Sequence, residues 1–160
     1  MKGVDMSKVE TSIEVDVPVE TAYNQWTQFE EFPRFMEGVQ EVRQLDDTRL
    51  RWTAEVGGKT HEWEAEITEQ RPDERVAWKA TDGKTNAGVV TFHPLDEKRT
   101  KVTVEIEWEP EGIVESIGGK LGADERRVEG DLERFKEMIE GRGTETGAWR
   151  GQVEQGDRVR

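Results

Sequence analysis

The stretch LRWTAEVGGKTHEWEAEI, residues 50–67, alternates apolar and polar side chains on both sides of a glycine pair. Before the pair Leu50, Trp52, Ala54 and Val56 share one parity, and after it His61, Trp63, Ala65 and Ile67 do the same. A period of two is that of a half-buried strand, and Gly57-Gly58 is a hairpin signal because both positions tolerate positive φ. The spacing predicts two antiparallel strands sharing an apolar face that carries Trp52 and Trp63, with Glu62, Glu64 and Glu66 on the other side.

The alternation runs on. Val76, Trp78 and Ala80 form a third apolar row, Gly88, Val90 and Phe92 a fourth, and Val102, Val104, Ile106 and Trp108 a fifth, the last backed by Thr103, Glu105, Glu107 and Glu109. Turns are expected at Asp46-Asp47, Pro72-Asp73, residues 82–86 and residues 94–99. In Val39 to Leu45 the two valines, Val39 and Val42, have opposite parity, the mark of a bulge. Four of the six tryptophans therefore line one face of an antiparallel meander. With charge behind them, they describe a strongly curved sheet around an aromatic hollow.

Upstream, Val9, Ile13, Val15 and Val17 alternate with Glu10, Glu14 and Asp16 in a first strand that Pro18 stops. Pro18 suits a first helical turn, and Ala22, Trp26 and Phe29 predict a short helix over Val19 to Gln28. A second helical piece, Glu30 to Met36, carries Phe32 and Phe35. Downstream, Val128, Leu132, Phe135 and Ile139 recur at steps of four, three and four, giving one apolar stripe on a helix from about Asp124 to Glu140. That stripe is expected to cover the sheet. The glycine-rich segment Gly112 to Leu121 reads as a weakly helical lid over the hollow, and residues 141–160 as a mobile tail with Trp149 as its anchor.

Composition bounds the function. The chain has 160 residues, 32% hydrophobic and 37% charged, which suits one domain whose apolar residues are concentrated on few faces. A net charge of −13 argues against nucleic acid, which needs a Lys/Arg excess, and against an anionic membrane surface. There is no cysteine, and His61 and His93 are the only histidines, so no metal and no cofactor are expected. No apolar run is long enough for stable membrane insertion. With no signal-peptide core at its start, the chain is expected to be cytoplasmic.

The order strand, two short helices, meander and long terminal helix resembles the α+β helix-grip fold of the START-like (SRPBCC) superfamily. The resemblance rests also on Pro18-Val19-Glu20, Phe32-Pro33, Ala65-Glu66-Ile67-Thr68, Arg75-Val76-Ala77-Trp78, Val90-Thr91-Phe92, Pro94-Leu95 and Asp131-Leu132-Glu133-Arg134-Phe135-Lys136. These look like the bacterial polyketide cyclase/dehydrase and lipid-transport group. The resemblance covers residues 8–140, after a flexible 1–7, and implies about seven strands gripping the terminal helix around a cavity for lipids, quinones or polyketides. It carries no shared catalytic motif.

The expected ligand-binding residues are Trp52, His61, Trp63, Trp78, Phe92 and Trp108 from the sheet and Phe35, Ile117, Leu132 and Phe135 from the helical side. The leading expectation is a non-catalytic binder of a small hydrophobic molecule. A cyclase, aromatase or dehydratase using His61 as acid or base is the alternative, with Tyr23 and Asn24 as further polar candidates. A third reading is a stress-related module with a filled core, bound to a protein partner of unknown identity. The glutamate rows read as a solvated face paired with Arg49, Arg51, Lys79 and Lys101, and His93 as a surface residue.

Overall fold

The computed structural model describes residues 7–56, 58–81, 86–108 and 121–159. Strand β1 (Ser7–Val15) leads into α1 (Val19–Trp26) and a 3-10 helix (Phe29–Arg34). Strands β2 (Val39–Gln44), β3 (Arg49–Val56), β4 (Lys59–Arg71), β5 (Arg75–Ala80), β6 (Asn86–Asp96) and β7 (Arg99–Trp108) follow. The long helix α2 (Leu121–Arg142) and a small hairpin, β8 (Val153–Glu154) and β9 (Asp157–Arg158), complete the described chain.

The sheet order is β1-β7-β6-β5-β4-β3-β2, antiparallel throughout. β2 to β7 form the predicted meander, and β1 closes beside β7, so the first two strands lie at opposite edges. Helix α1 and the 3-10 helix make that crossing. The stripe of α2 enters the same core as the sheet's inner face, with Leu132, Phe135 and Ile139 buried beside Val15, Leu50, Ile67, Val90 and Val102.

Local features of these elements have physical causes. The second helical piece is 3-10 rather than α, with Pro33 inside it and unable to donate a backbone hydrogen bond. Pro18 stands just before α1 in extended conformation rather than within its first turn. The irregularity of Val39 to Val42 is a register shift against β3 between Val39 and Glu41. A second shift lies in β4 between Ile67 and Glu69. It reverses the parity of the strand, so Gln70 faces inward, fully buried opposite Val76.

The expectation of a mobile tail is corrected. Residues 145–150 lie against α1 and the residue that follows it, which offer three buried polar side chains. Gln25 accepts from the Thr146 N–H (2.8 Å) and donates to Thr146 Oγ1 (3.1 Å), Thr27 Oγ1 accepts from the Trp149 N–H (3.1 Å), and Asn24 binds both Glu145 and Arg150. β8 then pairs with the end of β4 at Glu69 and Gln70, placing Val153 in the core. The segment lacks periodicity because side chains of α1 and a two-residue strand hold it, and neither leaves a repeating apolar pattern.

Candidate ligand cavity

Between the sheet's inner face and α2 lies a cavity of about 250 Å³. β3, β4 and β5 supply Trp52, Trp63 and Trp78, β7 supplies Val104 and Ile106, α1 supplies Trp26, and Met36 follows the 3-10 helix. Helix α2 closes the far side with Val128, Asp131 and Leu132. The described lining is mostly apolar, as is usual for a small-molecule site.

The indoles are placed by strand register. Trp52 and Trp63 are direct partners across the β3–β4 ladder, and their rings stack with centroids 5.9 Å apart and planes 6° from parallel. Trp78 stands opposite Gly88 on β6. A Cβ built on Gly88 would lie 2.4 Å from Trp78 Cζ2, so the missing side chain is the space in which the ring rests. Trp26 packs on Phe32, Phe35 and Phe135 at 5.1–5.6 Å, forming the wall's connection to the core. The Trp52 indole N–H is buried with no hydrogen-bond partner among the described residues.

Asp131 is the titratable residue of the described lining. Its Oδ1 accepts the Glu37 N–H (2.9 Å) and a hydrogen bond from Arg134, whose Nε donates to the Phe35 carbonyl (2.9 Å). Burial nevertheless pushes the Asp131 carboxyl above its usual range, the hydrogen bonds and the charges of Arg134 and Arg127 only partly opposing it. The sign follows for stability. A carboxyl whose folded pKa is raised costs stability while ionised, and that cost disappears as pH falls through the folded value towards the unfolded one. Asp131→Asn, which keeps an Oδ1 acceptor, is therefore expected to leave the melting temperature at pH 7 unchanged or higher, and to bring no gain at pH 3. Thermal melts at both pH values check this; a substantial loss at pH 7 would contradict it.

Of the residues expected from the sequence, Trp52, Trp63, Trp78 and Leu132 come together in the lining. Phe35, Phe92 and Phe135 are buried behind it in the aromatic core. His61 shares strand parity with Trp63 but is exposed and absent from the described lining. The side chain of Trp108, and Ile117 with the rest of the expected lid, lie outside the described residues. Tyr23 is fully buried against Phe92, its hydroxyl pushed up to about 12 by burial, with Gln70 and Arg150 acting the other way. Asn24 is occupied by the C-terminal segment. Neither lines the cavity.

Asp131 itself was legible as an anomaly. It lies three residues after Val128 and four before Phe135, inside the apolar stripe of α2 rather than beside it. On the opposite face of the sheet the charges behave as expected of a solvated surface: Arg51 bridges to Glu62 (2.6 Å) and Glu64 (3.7 Å), and Lys8 pairs with Glu105. Arg49 instead joins Asp46 (2.8 Å). His93 is exposed. Among the described residues no cluster of His, Asp or Glu is arranged to hold a metal, and no helix is long and apolar enough to cross a membrane.

Comparison with known proteins gives a consistent set of likenesses. The family model described as polyketide cyclase / dehydrase and lipid transport matches residues 15–137. An uncharacterized 17.2 kDa protein of Streptomyces lincolnensis is 58% identical over 149 residues, covering 92% of this chain and 99% of that one. A crystal structure from Deinococcus radiodurans superposes with a TM-score of 0.68 at 30% identity, over 84% of this chain and 98% of its own. The Zhui aromatase/cyclase of a Streptomyces species gives 0.71 at 18% identity, covering 91% of this chain and all (100%) of that one. At that identity the likeness is one of fold.

Proposed function

The chain belongs to the polyketide cyclase/dehydrase and lipid-transport family, with the START-like helix-grip fold, and from this membership we propose that it binds a small hydrophobic molecule in the indole-lined cavity without transforming it. The observation that carries the proposal is the cavity itself: a half-open space of about 250 Å³ lined mainly by apolar side chains. Apolar side chains that face such a hollow rather than one another are available to a ligand. Apolar area removed from water would supply the affinity, on the order of 25 cal/mol per Å² before ordering costs. The stacked pair Trp52–Trp63 favours a flat ligand.

The alternative, a cyclase or dehydratase with His61 as acid or base, loses support from the exposure of His61 and its absence from the described lining. Acid–base catalysis needs the group within hydrogen-bond reach of the reacting atom. The test of binding is a tryptophan-fluorescence titration and thermal-shift screen against lipids, quinones and flat aromatic molecules. A stabilising ligand that quenches or shifts the indole emission is expected. No shift and no spectral change across the panel would overturn the proposal.

A further inference from the structure

The cavity's polar character is narrower than its apolar walls suggest. Four indoles, Trp26, Trp52, Trp63 and Trp78, stand around a space into which Asp131 brings a carboxylate. Asp131 Oδ1 is engaged by the Glu37 N–H and by Arg134, while Oδ2 accepts no hydrogen bond among the described residues. An aromatic ring presents a negative face, and indoles beside a carboxylate form an environment that attracts an ammonium group and repels an anion. Building on the carrier reading, we infer that the cavity selects a hydrophobic amine, bound as its ammonium between the indole walls and Asp131.

The nearby cations do not cancel this. Arg134 pairs with Asp131 at Oδ1 and directs its Nε to the Phe35 carbonyl, with Glu37 3.9 Å away, which leaves Oδ2 for a second cation. Arg127 also acts on Asp131, yet burial outweighs both arginines and leaves the carboxyl harder to ionise than one in water. A carboxylate in that condition gains more from an arriving cation than a solvated one does, since the ligand supplies the counter-charge that burial removed. The net charge of −13 would raise the local concentration of cations around the protein and speed their capture. The Trp52 N–H does not oppose a cation, because it is buried among side chains.

The same reasoning excludes a class of ligand. A fatty acid or other carboxylate would meet Asp131 with like charge in a poorly solvated space, so anionic lipids are expected to bind weakly.

The test compares two probes of nearly identical shape, phenyltrimethylammonium and tert-butylbenzene, by calorimetry or indole fluorescence in about 0.15 M salt, where surface attraction is largely screened. The cation is expected to bind at least about tenfold more tightly than its neutral counterpart. Asp131→Asn, which keeps the Oδ1 acceptor and hence the local fold, is expected to erase that advantage and bring the two affinities together. Equal affinities in the wild-type protein would overturn the amine inference while the carrier reading stood. So would a cation preference that Asp131→Asn does not change, which would place the cation on the acidic surface. Binding of neither probe would overturn the inference, and a blank lipid, quinone and aromatic screen would then overturn the carrier reading separately.

Discussion

Phe135→Ala is expected to destabilise the protein by about 3–5 kcal/mol, the range for removing a fully buried aromatic side chain. Phe135 has no exposed surface and packs on Trp26 at 5.1 Å and Phe35 at 5.2 Å, each ring meeting it edge to face. It is thus the point where α2 meets α1 and the end of the 3-10 helix. Residual space could not close easily, because Trp26 and Phe35 are themselves fixed by Phe32 and Trp26–Phe92 contacts. Urea unfolding would register the change as a lower midpoint with an unchanged slope. A loss below about 1 kcal/mol, the effect typical of an ordinary substitution, would mean that α2 does not grip the sheet as described.

Gly88→Ala should have the largest effect on binding. The backbone at Gly88 is not in the positive-φ region, so alanine can adopt it, but its methyl would lie 2.4 Å from Trp78 Cζ2 and 2.8 Å from Cη2. The indole must move. Trp78 forms one wall of a cavity of about 250 Å³, and a ring displaced into that space removes room for a ligand. Affinity for the best apolar ligand is expected to fall at least tenfold, about 1.4 kcal/mol, with a stability cost of about 1–3 kcal/mol from overpacking. Combining it with Trp78→Leu relieves the clash, so the double variant should bind more tightly than Gly88→Ala alone. If Gly88→Ala binds normally, Trp78 does not bound the site.

The fold was legible because the apolar period changes from helical to alternating at Val39 and back to helical at Val128, with turn residues between the strands. The indoles of Trp52, Trp63 and Trp78 were legible for the same reason, since parity assigns a face. Parity gives no position along a strand, however. It grouped His61 with Trp63, although the first lies near the hairpin end and is exposed, and it grouped Phe92 with the lining, although that ring packs behind Trp26. The bulge after Ile67 reversed the parity and turned Gln70 inward, which no alternation rule anticipates. The docking of residues 145–150 was hidden because Asn24, Gln25 and Thr27 read as ordinary polar residues of an amphipathic helix. Asp131 could be found only by asking why a carboxylate interrupts an apolar stripe.

The most direct test of the cavity's role is a crystal structure of the protein grown with the strongest binder from the ligand screen. Binding in this account predicts ligand density between the Trp52–Trp63 pair and Leu132, with the ligand's polar atom turned towards Asp131. Density confined to the outer surface, with the interior filled by rearranged side chains, would contradict it.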